Sequence, residues 1–410
     1  MRVIWFLLVC CFSGQSVAGE KLRIYIDADY SMARPAAEAI ELGVRTAMSE
    51  VANRVGNFEI EIVPKDHRAN SKRSYSNLRA FTQDPTGIAV IGGVHSPPYL
   101  THRQDINESG IPLLLPWSAA GPITRPDDDQ LNWIFRLSVD DTKAGPFLVG
   151  HALNNIECEQ TVLLLVDTGW GRANRVTMGD AFQAAGVPAP VVFMFSSSLG
   201  PASARTIAEK IKMTNADCAI MLSRAREGAL LVNELHQQSA DIRIISHWGI
   251  LSGDFVAQVP HSVRSDLQIE VLQTCGLEVE GKGRAELVQA LKNASTEVRP
   301  FKRLSDVPAA TGFVHGYDLT RLLIAALNNA MEMDGWADGS IVDRRNLFRS
   351  SLENLSEPVE GILKTYNRPF APYSDASQDA HEALGLQDLC VVSFSESGQL
   401  VLSETVEPHQ

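Results

Sequence analysis

A chain of 410 residues, 45% hydrophobic and 21% charged, is too long for one ordinary core. It suits two α/β lobes plus a leader, at roughly 150 residues per domain, and its composition excludes collagen-like and disordered classes. A net charge of −13 argues against nucleic acid or an anionic membrane as partner, but a cleft can be locally basic inside an acidic protein, so the sign of a small ligand stays open.

Arg2 supplies a positive start and residues 3–12 form an unbroken apolar run of signal-peptide length. Ser16, Val17 and Ala18 then put small residues where a signal peptidase reads. Export with cleavage after Ala18, giving a 1–18 signal peptide and a periplasmic protein, is expected. A membrane anchor needs a longer apolar run. Cys10 follows Val9, where a lipoprotein signal needs a small residue, so a soluble mature protein is expected.

From Lys21 strands and helices alternate: LRIYID, a helix over 35–55, FEIEIVP, a helix over 71–82, and IAVIGG. In the first helix Ala36, Ile40, Val44, Ala47 and Val51 recur every three or four residues, an apolar face able to lie on a sheet. The strand runs are too apolar to be half-exposed, as in a parallel sheet covered on both faces. After PLLLPW and WIFRLS, Asp140 and Asp141 open a second series. It runs through a helix over 142–155, TVLLLVD, a helix over 173–185, PVVFMFS, a helix over 203–214, CAIMLS, a helix over 227–238, IRIISHWG and LQIEVLQT. Two consecutive βα series imply an α/β protein of two doubly wound parallel-sheet lobes. Beyond Gly276 come helices over 284–293, 312–333 and 344–354, then one clear strand over 389–394.

Four cysteines follow the leader: Cys158, Cys218, Cys275 and Cys390. None lies within metal-ligand spacing of another. In an oxidising compartment one or two bridges can form, and Cys158 with Cys218 is the first pair to test, since both lie just before expected strands of one lobe. Buried free thiols are the alternative. The run Asp127, Asp128 and Asp129 lacks the spaced oxygens and glycine of a calcium loop, so no metal site is expected.

Candidate binding residues cluster after strands. IAVIGG breaks at Gly92 and Gly93 into a polar, helix-starting turn with His95 and Ser96, which lets backbone amides or the serine approach a carboxylate. Leu113, Leu114 and Leu115 end at Trp117, Ser118 and Ala119. Two such strand ends make half of a small-molecule cleft. TGWGRAN carries Trp170, an indole able to cover an apolar or cationic ligand. SRAREG offers Arg224 and Arg226, whose planar fork suits an oxyanion, with a salt bridge to Glu227 or Glu234 as the alternative. SHWGILSG adds His247 and Trp248, and the first strand ends at Asp27 and Asp29.

The GG before a short serine-containing turn, GIPLL before a P-x-S/A-A loop, N-W-x-F-R-x-S before a fresh domain, and HGYDLTRLLIAAL over 315–327 together resemble the bacterial branched-chain amino-acid-binding proteins, type I periplasmic solute receptors. The resemblance implies a three-segment hinge with crossings near Ser138, Gly276 and Ser356. Lobe 1 is then 19–137 with 276–355, and lobe 2 is 138–275 with 356–410. It also implies that Ser96 and the loop of Trp117, Ser118 and Ala119 hold a ligand carboxylate, and that Trp170 closes over the ligand. The sequence departs from that family in four places. Trp117 is large where relatives are small, Arg224 stands where they carry an aromatic or small residue, DADYSMARP replaces a Ser-Gly loop, and no acidic residue matches their ammonium ligand, Asp266 and Glu270 being neighbours only. These departures favour a planar or anionic ligand.

The expected protein is a monomeric receptor, without cofactor, that delivers a small organic solute (amino acid-like, carboxylate or planar) to a membrane permease of the ABC type. A ligand-sensing subunit for a membrane sensor kinase or receptor would use the same fold. An exported hydrolase built on Ser96, His95 and Asp29 is the different-class alternative. Against it, adjacent serine and histidine do not readily share a triad hydrogen bond and the chain has no G-x-S-x-G elbow. A nucleotide-dependent dehydrogenase fails because no G-x-G-x-x-G follows the first strand.

Overall fold

The computed structural model describes residues 20–126, 131–277 and 285–403; the expected leader and the Asp127, Asp128, Asp129 run lie outside them. Lobe 1 is built on six strands: β1 (Lys21–Ala28), β2 (Arg54–Val55), β3 (Phe58–Asp66), β4 (Gly87–Gly92), β5 (Leu113–Leu115) and β6 (Ile134–Arg136). Their order is β2-β3-β1-β4-β5-β6, parallel except for the short β2 against β3. Alternate side chains feed two cores: Leu114 joins Ile24, Ile26 and Ile91 on one face, whereas Leu113 and Leu115 join Tyr25 and Val90 on the other. Burial on both faces is why these strands read as continuous apolar runs.

Helix α1 (Arg34–Glu50) packs on that sheet, and α2 (Ser71–Gln83), α3 (Ser96–Thr101) and α4 (Arg103–Glu108) follow. α1 ends earlier than the expected 55, because Ala52 and Asn53 take φ of 53° and 55° and turn the chain into β2. Lobe 2 opens with α5 (Asp141–Gly150), which runs into a π-helical turn at His151–Asn155. It continues through β7 (Thr161–Val166), α6 (Gly169–Ala184), β8 (Val191–Phe195), α7 (Pro201–Lys212), β9 (Cys218–Leu222), α8 (Ala225–Gln237) and β10 (Arg243–Ser246). The short helices α9 (Phe255–Gln258) and α10 (His261–Asp266) then lead to β11 (Glu270–Thr274).

The chain then returns to lobe 1 as α11 (Ala285–Ala294), α12 (Ala310–Met331) and α13 (Ile341–Glu353). α12 lies directly against α1. A Cβ added at Gly43 would stand 2.1 Å from the Phe313 carbonyl oxygen, and one at Gly316 would stand 2.6 Å from that of Ile40. After α13, the hairpin β12 (Val359–Glu360) and β13 (Thr365–Tyr366) stays with lobe 1: the amides of Ile362 and Leu363 donate to Asp318 of α12 at 2.6 and 3.0 Å. His381 stacks on Phe135, and Glu382 forms a parallel bridge with Arg136 at the sheet edge. We therefore place the third crossing after Leu384 and not near Ser356; the intervening segment covers an edge that would otherwise expose unpaired backbone.

β14 (Leu389–Phe394) then enters the second sheet antiparallel to β11, and β15 (Leu400–Leu402) pairs beside it, giving the order β15-β14-β11-β10-β9-β7-β8. Two disulfides lie in lobe 2. Cys158 pairs with Cys218, the pair singled out from sequence, and Cys275 pairs with Cys390, tying the ends of β11 and β14. Among the described residues no helix is long and apolar enough to cross a membrane.

Candidate functional site

In each sheet the strand order reverses once, between β1 and β4 in lobe 1 and between β7 and β9 in lobe 2. Open parallel sheets bind ligands at the carboxyl ends of strands beside such a reversal. The two reversals face one another here across a cavity of about 150 Å³. Every described residue that lines it ends a strand or follows one by a few positions. Ala69 comes after β3, Val94 to Pro98 after β4, Trp117 and Ala119 after β5, Val166 to Trp170 around the end of β7, Ser197 after β8, Arg224 after β9, and Trp248, Gly249 and Ser252 after β10. Of the residues singled out from sequence, His95, Ser96, Trp117, Ala119, Trp170, Arg224 and Trp248 meet at this cavity.

The lobe 1 wall is braced from behind. Tyr99, fully buried in α3, donates its hydroxyl to the Asp27 carbonyl and accepts the Gly93 amide at 2.7 Å, which holds the turn after β4. Ser96 Oγ accepts the Ala120 amide at 3.2 Å, while Ser118 donates to the Gly93 carbonyl at 2.7 Å. Ser118 therefore ties the two loops together and does not line the cavity. The buried Arg136 donates to the carbonyls of Ser118 (3.2 Å) and Ala120 (2.9 Å) and pairs with Glu382 at 2.6 Å, so a chain segment hundreds of residues away supports the loop. Trp117 fits because Gly312 of α12 leaves room: a Cβ there would come within 3.1 Å of the indole.

Asp29 also lies behind the wall. Burial raises its carboxyl, but the His95 ring at 3.0 Å and the amides of Met32 and Ser31 outweigh burial and hold it down at about 2. His95 thus turns to Asp29 and Ser96 to the Ala120 amide, so the two form no nucleophile–base hydrogen bond of the kind the hydrolase alternative needs.

In lobe 2, Trp170 occupies the first turn of α6, which begins at Gly169, ahead of the helix expected over 173–185; Thr168 caps that helix by accepting the Gly171 amide. Its ring rests over Gly249, where a Cβ would meet it at 2.9 Å, and stands edge-on to His247 at 5.1 Å. His247 is fully buried, bonded to Asp141 at 2.9 Å, and packs between Trp170 and Trp248. It supports both indoles without lining the cavity. Arg224 donates to Glu227 and to the Ser197 carbonyl. Among the described residues its Nη1 has no protein partner. Arg226 is exposed and does not line the cavity.

The lining residues that sequence reading did not name, Ala69, Val94, Pro97, Pro98, Val166, Thr168, Ser197, Gly249 and Ser252, are mostly small and apolar. Only their position just beyond strand ends could have signalled them. Between the lobes, Leu100 of α3 approaches Gly169 of α6, where an added Cβ would stand 3.2 Å from its Cδ1.

Two doubly wound lobes, crossed three times by the chain and meeting at their strand ends around one cavity, define the type I periplasmic binding protein fold. The chain belongs to the periplasmic binding protein family, whose model matches residues 27–251. No curated sequence relative matches it. Among solved structures it is similar to the periplasmic binding protein type 1 of Bordetella pertussis Tohama I, with a TM-score of 0.73 and 14% identity over 94% of this chain and 100% of that one. It is also similar to an R. palustris ABC-transporter solute-binding protein in complex with 4-hydroxybenzoate (0.71; 13%; 94% and 96%). A third is the Streptococcus pneumoniae branched-chain amino acid transporter substrate-binding protein in complex with isoleucine (0.70; 14%; 94% and 100%). At these identities the likeness speaks for the fold, and the ligand must be argued from the cavity.

Proposed function

We propose that this protein is exported, cleaved after Ala18, and captures a small aromatic carboxylate between its lobes for delivery to an ABC-type permease. The observation that carries the ligand class is the cavity lining. Three indoles, Trp117, Trp170 and Trp248, and one arginine face a space of about 150 Å³, close to the size known to hold a single benzene ring. Arg224 can offer Nη1 to a carboxylate. Among the described lining residues none is acidic, so the ammonium of an α-amino acid would be buried without a counter-charge, at a cost of several kcal/mol. The complex of the R. palustris protein with 4-hydroxybenzoate supports an aromatic acid on this fold. Capture follows from geometry: a ligand that touches strand ends of both lobes binds the closed state better and shifts the population towards it.

Calorimetric titration of the refolded mature chain tests this reading. Saturable binding of benzoate or 4-hydroxybenzoate, with isoleucine at least a hundredfold weaker, is the expected result. Tighter binding of isoleucine overturns the ligand class.

A further inference from the structure

In the lobe 1 wall, His95 and the Asp29 carboxylate behind it form a couple that capture by shape and by Arg224 does not use. Asp29 receives the amides of Ser31 (3.1 Å) and Met32 (2.8 Å) on Oδ1, and its Oδ2 stands 3.0 Å from His95 Nε2. The carboxylate is ionised at neutral pH, so it accepts a hydrogen bond from His95 Nε2–H. His95 lines the cavity and its side chain is 12% exposed. Among the described residues its Nδ1 has no protein partner, and it is not among the atoms sealed from solvent.

The titratable and charged groups around that ring are Asp29, His67, Asp66 and, on the opposite wall, Arg224. His67 lies with its ring centre 6.0 Å from that of His95. Burial and the neighbouring His95 lower its pKa to about 4, and its Nδ1 accepts the Ala69 amide at 3.1 Å, so it takes no proton near neutrality. Asp66 is occupied by Ser31, Arg68 and the Tyr30 amide. Arg224 is met by Glu227.

We propose that the Asp29–His95 couple links capture to a proton: as a carboxylate ligand enters, His95 takes up a proton from solvent at Nδ1 and donates it, as imidazolium, in a hydrogen bond to the ligand. This rests on the carboxylate reading above. The physical cause is charge. The empty site places one anion beside the ring and the loaded site places two, and each nearby negative charge favours the protonated imidazole. Linkage is reciprocal, so a proton that binds better in the complex makes the ligand bind better at lower pH. At one proton per ligand, Kd rises about tenfold per pH unit over the window where the ring takes it up. His95 touches the ligand; Asp29 is a positioning residue that acts through it.

The test is benzoate calorimetry on the mature chain from pH 6 to 8.5, in two buffers of different ionisation heat, so that protons are counted on the unaltered protein. Net uptake approaching one proton, and a Kd at least tenfold weaker at pH 8.5 than at pH 6.5, is expected. His95→Gln, which keeps a neutral amide, should flatten the profile and abolish uptake, and Asp29→Asn should reduce it. Equal affinity across the range without uptake, or an unchanged slope in His95→Gln, overturns the proton link and leaves capture standing. If no aromatic carboxylate binds at any pH, the capture reading falls and this inference falls with it.

Discussion

Asp27 and Asp29 leave the same strand two residues apart, yet their surroundings set opposite pH behaviour. Asp27 is 1% exposed; burial drives its pKa up to about 6, although Ser74 and Asn77 donate to it. The folded state therefore keeps a proton that the unfolded chain releases between pH about 4 and 6, so this group's contribution to stability falls as pH rises through that window. Above it the ionised side chain costs about 3 kcal/mol. Asp27→Asn should raise the melting temperature at pH 7 and remove the slope between pH 4 and 6 in denaturant titrations. Asp29 has the reverse sign: its depressed pKa contributes stability above pH about 4 that is lost as pH falls towards 2. At Arg224, replacement by Lys keeps a charge near Glu227 but loses the planar fork. Calorimetry should show aromatic-carboxylate affinity falling ten- to hundredfold, the equivalent of about 1.5–3 kcal/mol for a hydrogen bond to a charged group, with little change in melting temperature. Residue types in the turns were readable, but their directions were not. Loops have no period, so nothing local told Ser118 to face the Gly93 carbonyl or His247 to face Asp141.

At the scale of elements, the pairing of α1 with α12 is the most exacting contact. Gly43 and Gly316 let the helix backbones touch, and no side-chain rearrangement relieves a Cβ that meets a carbonyl oxygen. Gly316→Ala should destabilise lobe 1 by roughly 1–3 kcal/mol through overpacking, despite the better helix propensity of alanine; chemical denaturation measures it. Long elements were legible because their apolar spacing repeats several times. The strand 389–394 and the helix beginning at Ser71 appear where expected. The two-residue strands β2, β12 and β13 left no such pattern. The early end of α1 depends on two non-glycine residues in a left-handed conformation, which such residues rarely signal.

For the whole molecule, capture requires the lobes to meet, and Leu100 against Gly169 marks where they do. Gly169→Val should hold the lobes apart. The expected outcome is weaker aromatic-carboxylate binding and loss of the ligand-induced decrease in radius of gyration by small-angle scattering, with an unchanged melting temperature for the empty protein. Unaltered affinity would show that this contact plays no part in the loaded state.

Two βα series, their covered sheets and the strand ends where a ligand could sit were determined by the sequence alone, because apolar periodicity and turn residues act over a few positions. Which strand ends face one another was decided only by the tertiary structure. So was the third crossing after Leu384, and so were the partners of the buried charges. Asp29 with His95 and Arg136 with Glu382 are joined across 66 and 246 residues. Pairings at such separations come from the way whole sheets and helices pack, which no local pattern encodes.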